Sequence, residues 1–253
     1  MIRLTHFSQV RKPGTLSRWA MVLIMIGAIG MLGAYQTGWT IVESFDTTAD
    51  YPAGSSLDGK PFDEAPSGTQ WKAQPRITLA QGGYAVYDGS KAQTNATASV
   101  PILHDAPEGA IYTVTADVRL KNGLFMVIGL LDDHRGFFQG GQVWLMIRHG
   151  GRYELRANGM TNEQYVTNKP KDVFKYRQRN EVTLIYNSAK QTTSVKSNGE
   201  LVLEDHDLSA FADAFNLTRV GFSHYTGRKA TSKDVHELHR FELNIADSAD
   251  DSE

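Results

Sequence analysis

Residues 111–120 read Ile-Tyr-Thr-Val-Thr-Ala-Asp-Val-Arg-Leu, and their alternation decides the fold class. Every second side chain from Tyr112 to Leu120 is apolar or aromatic. The positions between them are polar, namely Thr113, Thr115, Asp117 and Arg119. Strict alternation over ten residues predicts a half-buried strand with one solvated face.

Further strand-like segments surround this stretch. Phe125–Leu131 is apolar on both faces, which is typical of a strand in the middle of a sheet. Other strands are predicted at Val143–Arg148, Arg152–Ala157, Glu181–Tyr186, Thr192–Lys196, Val220–Tyr225 and Leu238–Ile245. Gly150 and Gly151 predict one hairpin turn, and Asn198-Gly199 predicts another. Only Leu208–Phe215 has helical character, so the pattern predicts an all-β antiparallel sandwich or barrel.

Composition excludes several classes of function. The 253 residues contain no cysteine, which excludes disulfide frameworks, thiolate zinc sites and cysteine nucleophiles. The net charge is −2, but residues 1–42 alone carry +4 from Arg3, Arg11, Lys12 and Arg18, so the remainder carries −6. Because nucleic-acid binding requires a basic surface, a nucleic-acid partner is not expected.

The N-terminal region predicts a single transmembrane helix. No charged residue occurs from Trp19 to Val42, a length that can cross a hydrocarbon core of about 30 Å. All four positive charges precede the segment, which predicts a cytoplasmic N-terminus (residues 1–18) and a sandwich outside the membrane. The predicted location is the bacterial cytoplasmic membrane, with the sandwich in the periplasm or outside the cell. A cleaved signal peptide is the alternative.

The rest of the chain divides into three further regions. Residues 43–70 are rich in turn formers and are predicted to be a linker or an irregular loop leading into the domain. The sandwich is expected over residues 71–246, and the acidic tail 247–253 is predicted to be disordered. Within the anchor, a stripe of small residues is expected to let another transmembrane helix pack closely, namely Gly27, Gly30 and Ala34.

Two parts of the sequence resemble a known superfamily. Glu181–Asn187, followed by Val-Lys-Ser-Asn-Gly-Glu-Leu-Val from residue 195, is similar to the central hairpins of concanavalin A-like (laminin G-like) jelly rolls. Arg219–Ser223 and His239–Ile245 resemble the later strands of the same superfamily. The resemblance covers about residues 75–245 and implies a jelly-roll β-sandwich. Members of the superfamily include glycan-binding modules, glycoside hydrolases and adhesion or assembly domains, so it does not choose a function.

Motifs for catalysis are absent from the sequence. A retaining glycanase on this scaffold would present two carboxylates about 5 Å apart, usually as Glu-x-Asp-x-x-Glu, and that pattern does not occur. There is also no Gly-x-Ser-x-Gly elbow, and Gly136–Gly141 lacks the lysine of a phosphate-binding loop. The chain is therefore not expected to be an enzyme.

No cofactor is expected, with calcium as the weak exception. Calcium requires six to eight oxygen ligands. Four carboxylates in two predicted loops could supply some of them if the loops converged, namely Asp132, Asp133, Asp205 and Asp207.

Aromatic and basic side chains are the candidate binding residues. Trp144 is the best candidate for a sugar-stacking ring if Val143 and Leu145 fill the core, although Trp144 could itself be core. Phe137 and Phe138 lie between glycines, which is typical either of a contact surface or of a loop tucked inward. Tyr153 is a further ring in the same region, and Arg177 and Arg179 belong to a basic run that could face anionic lipid headgroups or an acidic partner.

Two hypotheses of function follow. The first is a non-catalytic, membrane-anchored interaction module, an accessory or structural subunit that contacts other membrane or envelope proteins. The second is a glycan-binding module of the periplasm or cell surface, or less readily a divergent glycoside hydrolase.

Overall fold

The computed structural model describes residues 39–87, 94–102, 106–120, 125–133, 135–148, 151–168, 173–175, 177–226 and 236–248. These residues form the following strands: β1 Trp39–Glu43, β2 Lys72–Ala73, β3 Ile77–Ala80, β4 Tyr84–Tyr87, β5 Thr94–Pro101, β6 Ile111–Arg119, β7 Phe125–Leu131, β8 Gly141–Arg148, β9 Arg152–Ala157, β10 Val166–Asn168, β11 Arg179–Asn187, β12 Thr192–Ser197, β13 Glu200–Asp207, β14 Arg219–Thr226 and β15 Glu237–Ala246. Two short helices are described, α1 Phe137–Gly140 and α2 Ser209–Ala212.

The described strands form two antiparallel sheets. The eight-stranded sheet has the order β13-β12-β11-β6-β15-β4-β3, and β1 pairs with β15 outside this path. The seven-stranded sheet has the order β10-β9-β8-β7-β14-β5-β2. Several neighbouring strands are distant in sequence, such as β6 with β15 and β7 with β14. The chain therefore alternates between the sheets rather than completing one before the other.

The two sheets enclose one apolar core. In β6 the even-numbered side chains from Tyr112 to Val118 are buried and the odd-numbered ones are partly exposed, which confirms the predicted half-buried strand. All seven residues of Phe125–Leu131 are buried, as expected for a central strand. Rings also pack in the core between the sheets: Trp71 contacts Phe222 and Phe241 edge-on, with centroids 5.3 and 5.4 Å away.

The predicted hairpin turns are confirmed by the strands on either side of them. β8 pairs with β9 and β12 pairs with β13. Asn198 and Gly199 have φ values of 49° and 81°, as a type I′ turn requires. The helical segment is shorter than expected, because α2 covers only Ser209–Ala212.

The predicted domain boundaries are wrong at the N-terminal side. Residues 39–42, assigned to the anchor, belong to β1, which pairs with β15 and buries Ile41. Residues 43–70 are irregular but are not a spacer, because Phe45 and Leu57 lie in the core. The sandwich therefore includes residues from Trp39 onward.

A buried polar cluster explains why residues 43–70 pack against the sheets. The Glu43 carboxylate accepts hydrogen bonds from Lys60 Nζ at 2.7 and 2.9 Å and from Trp71 Nε1 at 3.1 Å. It also accepts one from the backbone N–H of Phe45 at 2.6 Å. Burial raises the pKa of Glu43, and the hydrogen bond and charge of Lys60 oppose that rise. The Glu43 carboxylate therefore connects β1 to Lys60 within the irregular segment and to Trp71 directly after it.

The remaining N-terminal predictions lie outside the described residues. Residues 1–38 contain the basic N-terminus, most of the predicted anchor, and Gly27, Gly30 and Ala34. In the described part of the chain, no helix combines the length and apolar character needed to cross a membrane. Residues 249–253 of the acidic tail are likewise outside the description.

Candidate functional site

The outer face of the seven-stranded sheet carries the candidate site. Successive side chains of a strand point to opposite faces, and the inward positions of β8 are Val143, Leu145 and Ile147. Its outward positions are Trp144, Met146 and Arg148. In β9, Tyr153 and Leu155 point inward. The outward positions of β9 are Arg152, Glu154 and Arg156.

A separate apolar cluster covers the middle of this outer face. Its buried members come from β7, β8 and α1, and Tyr225 packs against them. The cluster consists of Phe125, Val127, Leu131, Phe137, Trp144 and Met146. Because this cluster lies outside the main core, it must be shielded from solvent by another element, and α1 shields it.

α1 lies against the outer face because of the glycines around it. Gly136 has φ 116°, and a Cβ there would approach Thr97 Oγ1 to 2.8 Å. The loop therefore runs close to the sheet at this point. It places the Phe137 ring 5.9 Å from the Trp144 ring and leaves Phe137 3% exposed. The next ring, Phe138, contacts Trp144 edge-on at 5.3 Å and is 47% exposed.

Arg156 lies among three aromatic rings of this face. Its guanidinium carbon is 4.0 Å from the Tyr165 ring centroid, 5.0 Å from that of Trp144 and 5.9 Å from that of Phe138. These distances are within the range of cation–π attraction. The arginine therefore holds the exposed Phe138 ring and Tyr165 beside the indole.

Glu154 is the carboxylate that balances the arginines. Its Oε2 accepts a hydrogen bond from Arg148 Nε at 3.1 Å, and its Oε1 accepts hydrogen bonds from Arg156. Burial alone would raise the pKa of Glu154, but the hydrogen bonds and charges of Arg156 and Arg148 outweigh it and lower the pKa. Glu154 is therefore an ionised acceptor at neutral pH and is poorly suited to donate a proton.

The same face continues to a surface pocket at its β2 end. The pocket has a volume of about 430 Å³ and is lined by residues that include Lys72, Pro101 and Arg219. Arg219 donates hydrogen bonds to Ser99 Oγ at 2.9 Å and to the Ser99 carbonyl at 3.2 Å. Burial lowers the pKa of Arg219, and the charge of Asp133 opposes this. Two cationic side chains and one carboxylate, that of Asp58, therefore border the pocket.

The structure brings together only some of the predicted binding residues. Trp144 faces outward with Val143 and Leu145 in the core, as the stacking hypothesis requires, but Phe137 and Phe138 cover it. Of the two phenylalanines, Phe137 is tucked inward and Phe138 is exposed.

Tyr153, Arg177 and Arg179 do not belong to this face. Tyr153 lies in the core, where its hydroxyl hydrogen-bonds to Ser197 Oγ at 2.7 Å and burial raises its pKa to about 12. Its strand turns the Tyr153 side chain inward, away from the outer face that carries the other candidate residues. Arg179 pairs with Asp117, and the Arg177 carbonyl accepts a hydrogen bond from Arg119, both on the eight-stranded sheet.

The proposed calcium ligands do not converge. Asp132 and Asp133 directly follow β7 of the seven-stranded sheet, whereas Asp205 and Asp207 belong to β13 at the edge of the other sheet. Asp205 accepts from Ser194 and Asp207 accepts from the backbone N–H of Ser209, each a local hydrogen bond. Among the described residues, no group of three or more metal-ligating side chains could hold a metal ion.

Sequence reasoning missed the charged members of the site. Arg148, Arg152, Glu154 and Arg156 occupy alternate positions of the β8–β9 hairpin. Once Trp144 is placed outward, the hairpin register puts Arg156 directly opposite it. The predicted hairpin therefore already implied that Arg156 lies beside Trp144. This becomes visible only when the residues of the two strands are aligned opposite one another.

Comparison with known proteins identifies the fold but no family. No protein-family profile and no curated protein sequence matches this chain. Among solved structures, arcelin-5, a lectin-like defence protein from Phaseolus vulgaris, superimposes with a TM-score of 0.57 at 12% identity, covering 83% of this chain and 98% of that one. The fold is a concanavalin A-like jelly roll.

Two other concanavalin A-like structures are similar to the same degree. The Emp47p carbohydrate recognition domain has a TM-score of 0.54 at 9% identity, covering 83% of this chain and 95% of that one. An endo-1,3-beta-glucanase from Streptomyces sioyaensis has a TM-score of 0.54 at 10% identity, covering 83% and 96%. At such identities the likeness concerns the concanavalin A-like fold alone.

Proposed function

We propose that this protein is a non-catalytic glycan-binding module that uses the outer face of its seven-stranded sheet. The observation that carries the proposal is the half-exposed Phe138 ring, held over Trp144 beside the guanidinium of Arg156. The carbohydrate recognition domain and the lectin-like protein among the structural neighbours support it by analogy of fold.

The chemistry of the face suits a sugar. A pyranose ring presents C–H groups on its faces and hydroxyls at its edge, so it requires an apolar platform bordered by hydrogen-bonding groups. Phe138 supplies the exposed platform, and Trp144 and Phe125 support it from below, with centroids 5.3 and 5.9 Å away. Arg148 and Arg156 supply donors at its border.

Glycoside hydrolysis is the less favoured use of the same face. A general acid needs a carboxyl group with a raised pKa, and the pKa of Glu154 is lowered. The two arginines that lower it also occupy its oxygens. We therefore expect binding without turnover.

Affinity electrophoresis through gels that contain neutral or acidic polysaccharides tests the proposal. The full-length chain, purified in mild detergent, should be retarded by at least one polysaccharide, and Phe138→Ala should weaken the retardation about tenfold, the usual cost of removing a central aromatic contact. Leu201→Ala is the matched control, because Leu201 is 46% exposed but lies on β13 of the other sheet. Equal loss in both variants, or no retardation on any gel, would overturn the proposal.

A membrane-anchored accessory role is the second candidate. What supports it is the uncharged sequence that begins at Trp19 and precedes β1, together with the four positive charges before it, which favour a bacterial cytoplasmic membrane protein with its sandwich outside. Exposed Leu201 on an edge strand offers a contact for another envelope protein. Mass spectrometry of the native protein tests the anchor: a mature chain starting at Met1 or Ile2 supports it, and a start near Tyr35 excludes it.

A further inference from the structure

The β8–β9 hairpin concentrates positive charge at one end of the outer face. Arg148, Arg152 and Arg156 all point outward, with Glu154 as the carboxylate among them. Glu154 bonds to Arg148 and Arg156 and offsets one of the three charges. The hairpin therefore presents an excess of two positive charges on a chain whose net charge is −2.

Arg148 and Arg152 are direct cross-strand partners on the same face. Like charges in that arrangement repel each other and destabilise a sheet. Glu154 neutralises Arg148 on one side, at 3.1 Å. Arg152 is exposed and has no ion pair or hydrogen bond through its guanidinium within the described ranges. An anion placed between the two guanidinium groups would relieve the repulsion and bind to unused donors.

The same cross-strand row continues into aromatic rings. Arg148 is opposite Phe125, and Phe125 is opposite Tyr225. The two rings stack with centroids 4.5 Å apart and planes 15° apart, and the Arg148 guanidinium is 5.6 Å from the Phe125 centroid. An anionic group at Arg152 would therefore lie two strand spacings of about 4.8 Å from the buried Phe125 ring and three from the partly exposed Tyr225 ring.

We propose that the glycan is an acidic polysaccharide whose carboxylate or sulfate groups bind between Arg148 and Arg152. Guanidinium groups bind both kinds of oxyanion through paired, charge-assisted hydrogen bonds. The pocket lined by Lys72, Arg219 and Asp58 gives the same face a second position with an excess of one positive charge, at the β2 end. A chain with repeating negative charges can reach both positions, whereas a neutral sugar uses neither charge. This inference rests on the proposed glycan-binding function.

Matched polysaccharides test the inference. The full-length chain is run by affinity electrophoresis in gels containing dextran, dextran sulfate, polygalacturonate or neutral laminarin. We expect retardation on dextran sulfate, on polygalacturonate or on both, and the arm that responds identifies the anion as sulfate or carboxylate. Arg152→Gln should weaken that binding at least about tenfold, the usual effect of losing a charge-assisted hydrogen bond. Raising the salt concentration should weaken it further.

Arg240→Gln is the matched control, because Arg240 is an exposed arginine on β15 of the other sheet. Equal weakening by Arg152→Gln and Arg240→Gln would indicate non-specific charge attraction and would overturn the inference. Retardation on neutral gels only would also overturn it, while the glycan-binding proposal would stand. No retardation on any of the four gels would overturn both. Circular dichroism of each variant confirms that the fold is intact.

Discussion

Glu43 is an ionisable side chain that the fold buries completely. Its side chain is 0% exposed, and that of its partner Lys60 is 4% exposed. The pair is accompanied by the Trp71 indole N–H and the Phe45 backbone N–H, so both carboxylate oxygens are satisfied. A buried pair of this kind adds little net stability, but removing one partner leaves an uncompensated charge in the interior.

Lys60→Met should therefore lower the free energy of unfolding by about 3–5 kcal/mol, measured by urea denaturation. Arg240→Met provides the comparison, since the Arg240–Glu242 pair is exposed and should contribute less than about 1 kcal/mol. Similar losses in the two variants would mean that Glu43 finds other compensation.

Single residues also mark the limit of sequence-based prediction at the site. Trp144 lies in a strand that is apolar on both faces, so periodicity did not indicate whether its ring would face the core. Tyr153 lies in a strand where charged and apolar residues alternate, and that alternation does indicate an inward ring. The structure turns Trp144 outward and Tyr153 inward. α1 packs over Trp144 because Gly136 permits the loop conformation that precedes the helix. A hydrophobic periodicity does not predict such a loop conformation.

At the scale of elements, β1 is the segment that sequence reasoning placed wrongly. Trp39–Glu43 follows an uncharged stretch and is itself uncharged until Glu43, so hydropathy extended the anchor through it. The strand's burial alternates, with Ile41 and Glu43 inside. Five residues are too few for that period to be visible beside a long apolar run. By contrast, β6 is long and alternates strictly, and its prediction is confirmed.

Two truncated chains would distinguish the contribution of β1 to stability from that of the segment before it. A chain that starts at Thr37 keeps all of β1, whereas a chain that starts at Glu43 loses its pairing with β15 and the burial of Ile41. We expect the shorter chain to have a midpoint of thermal unfolding at least about 5 °C lower, because several kcal/mol of burial and backbone pairing are lost. Circular dichroism measures both midpoints. Equal midpoints would mean that β1 does not contribute to stability.

At the scale of the whole molecule, the fold class could be predicted and the strand order could not. Alternation and turn residues indicate strands and hairpins, which are local. The neighbours of β6 are β11 and β15, and those of β14 are β7 and β5, so the sheets depend on contacts between distant segments. The resemblance of the later hairpins to concanavalin A-like proteins predicted the fold without the strand order, and the structural comparison confirms that fold.

The core between the sheets also contains a histidine that makes global stability depend on pH. His224 is fully buried beside Phe222, Tyr87 and His236. Burial and, to a lesser extent, the charge of His236 lower the pKa of His224 to about 3. In the unfolded chain the pKa is about 6.5, so below that pH the unfolded state binds a proton that the folded state excludes.

His224 should therefore reduce the free energy of unfolding by about 1.4 kcal/mol per pH unit below pH 6.5, until the pH approaches 3. Between pH 7 and pH 5 the expected loss is about 2 kcal/mol, measured by urea denaturation at each pH. His224→Phe removes this group, so the variant should lose about 2 kcal/mol less than the wild type over that interval. The same pH dependence in both proteins would assign the effect to other groups.

Trp39 of β1 is paired with Ile245 of β15, so the first and last described strands lie side by side. A short linker could join these two ends at a small cost in loop-closure entropy. The chain could then be reopened elsewhere, for example in the exposed Asn198-Gly199 turn between β12 and β13. The sandwich is therefore suited to circular permutation and to insertion into a surface loop of a host protein.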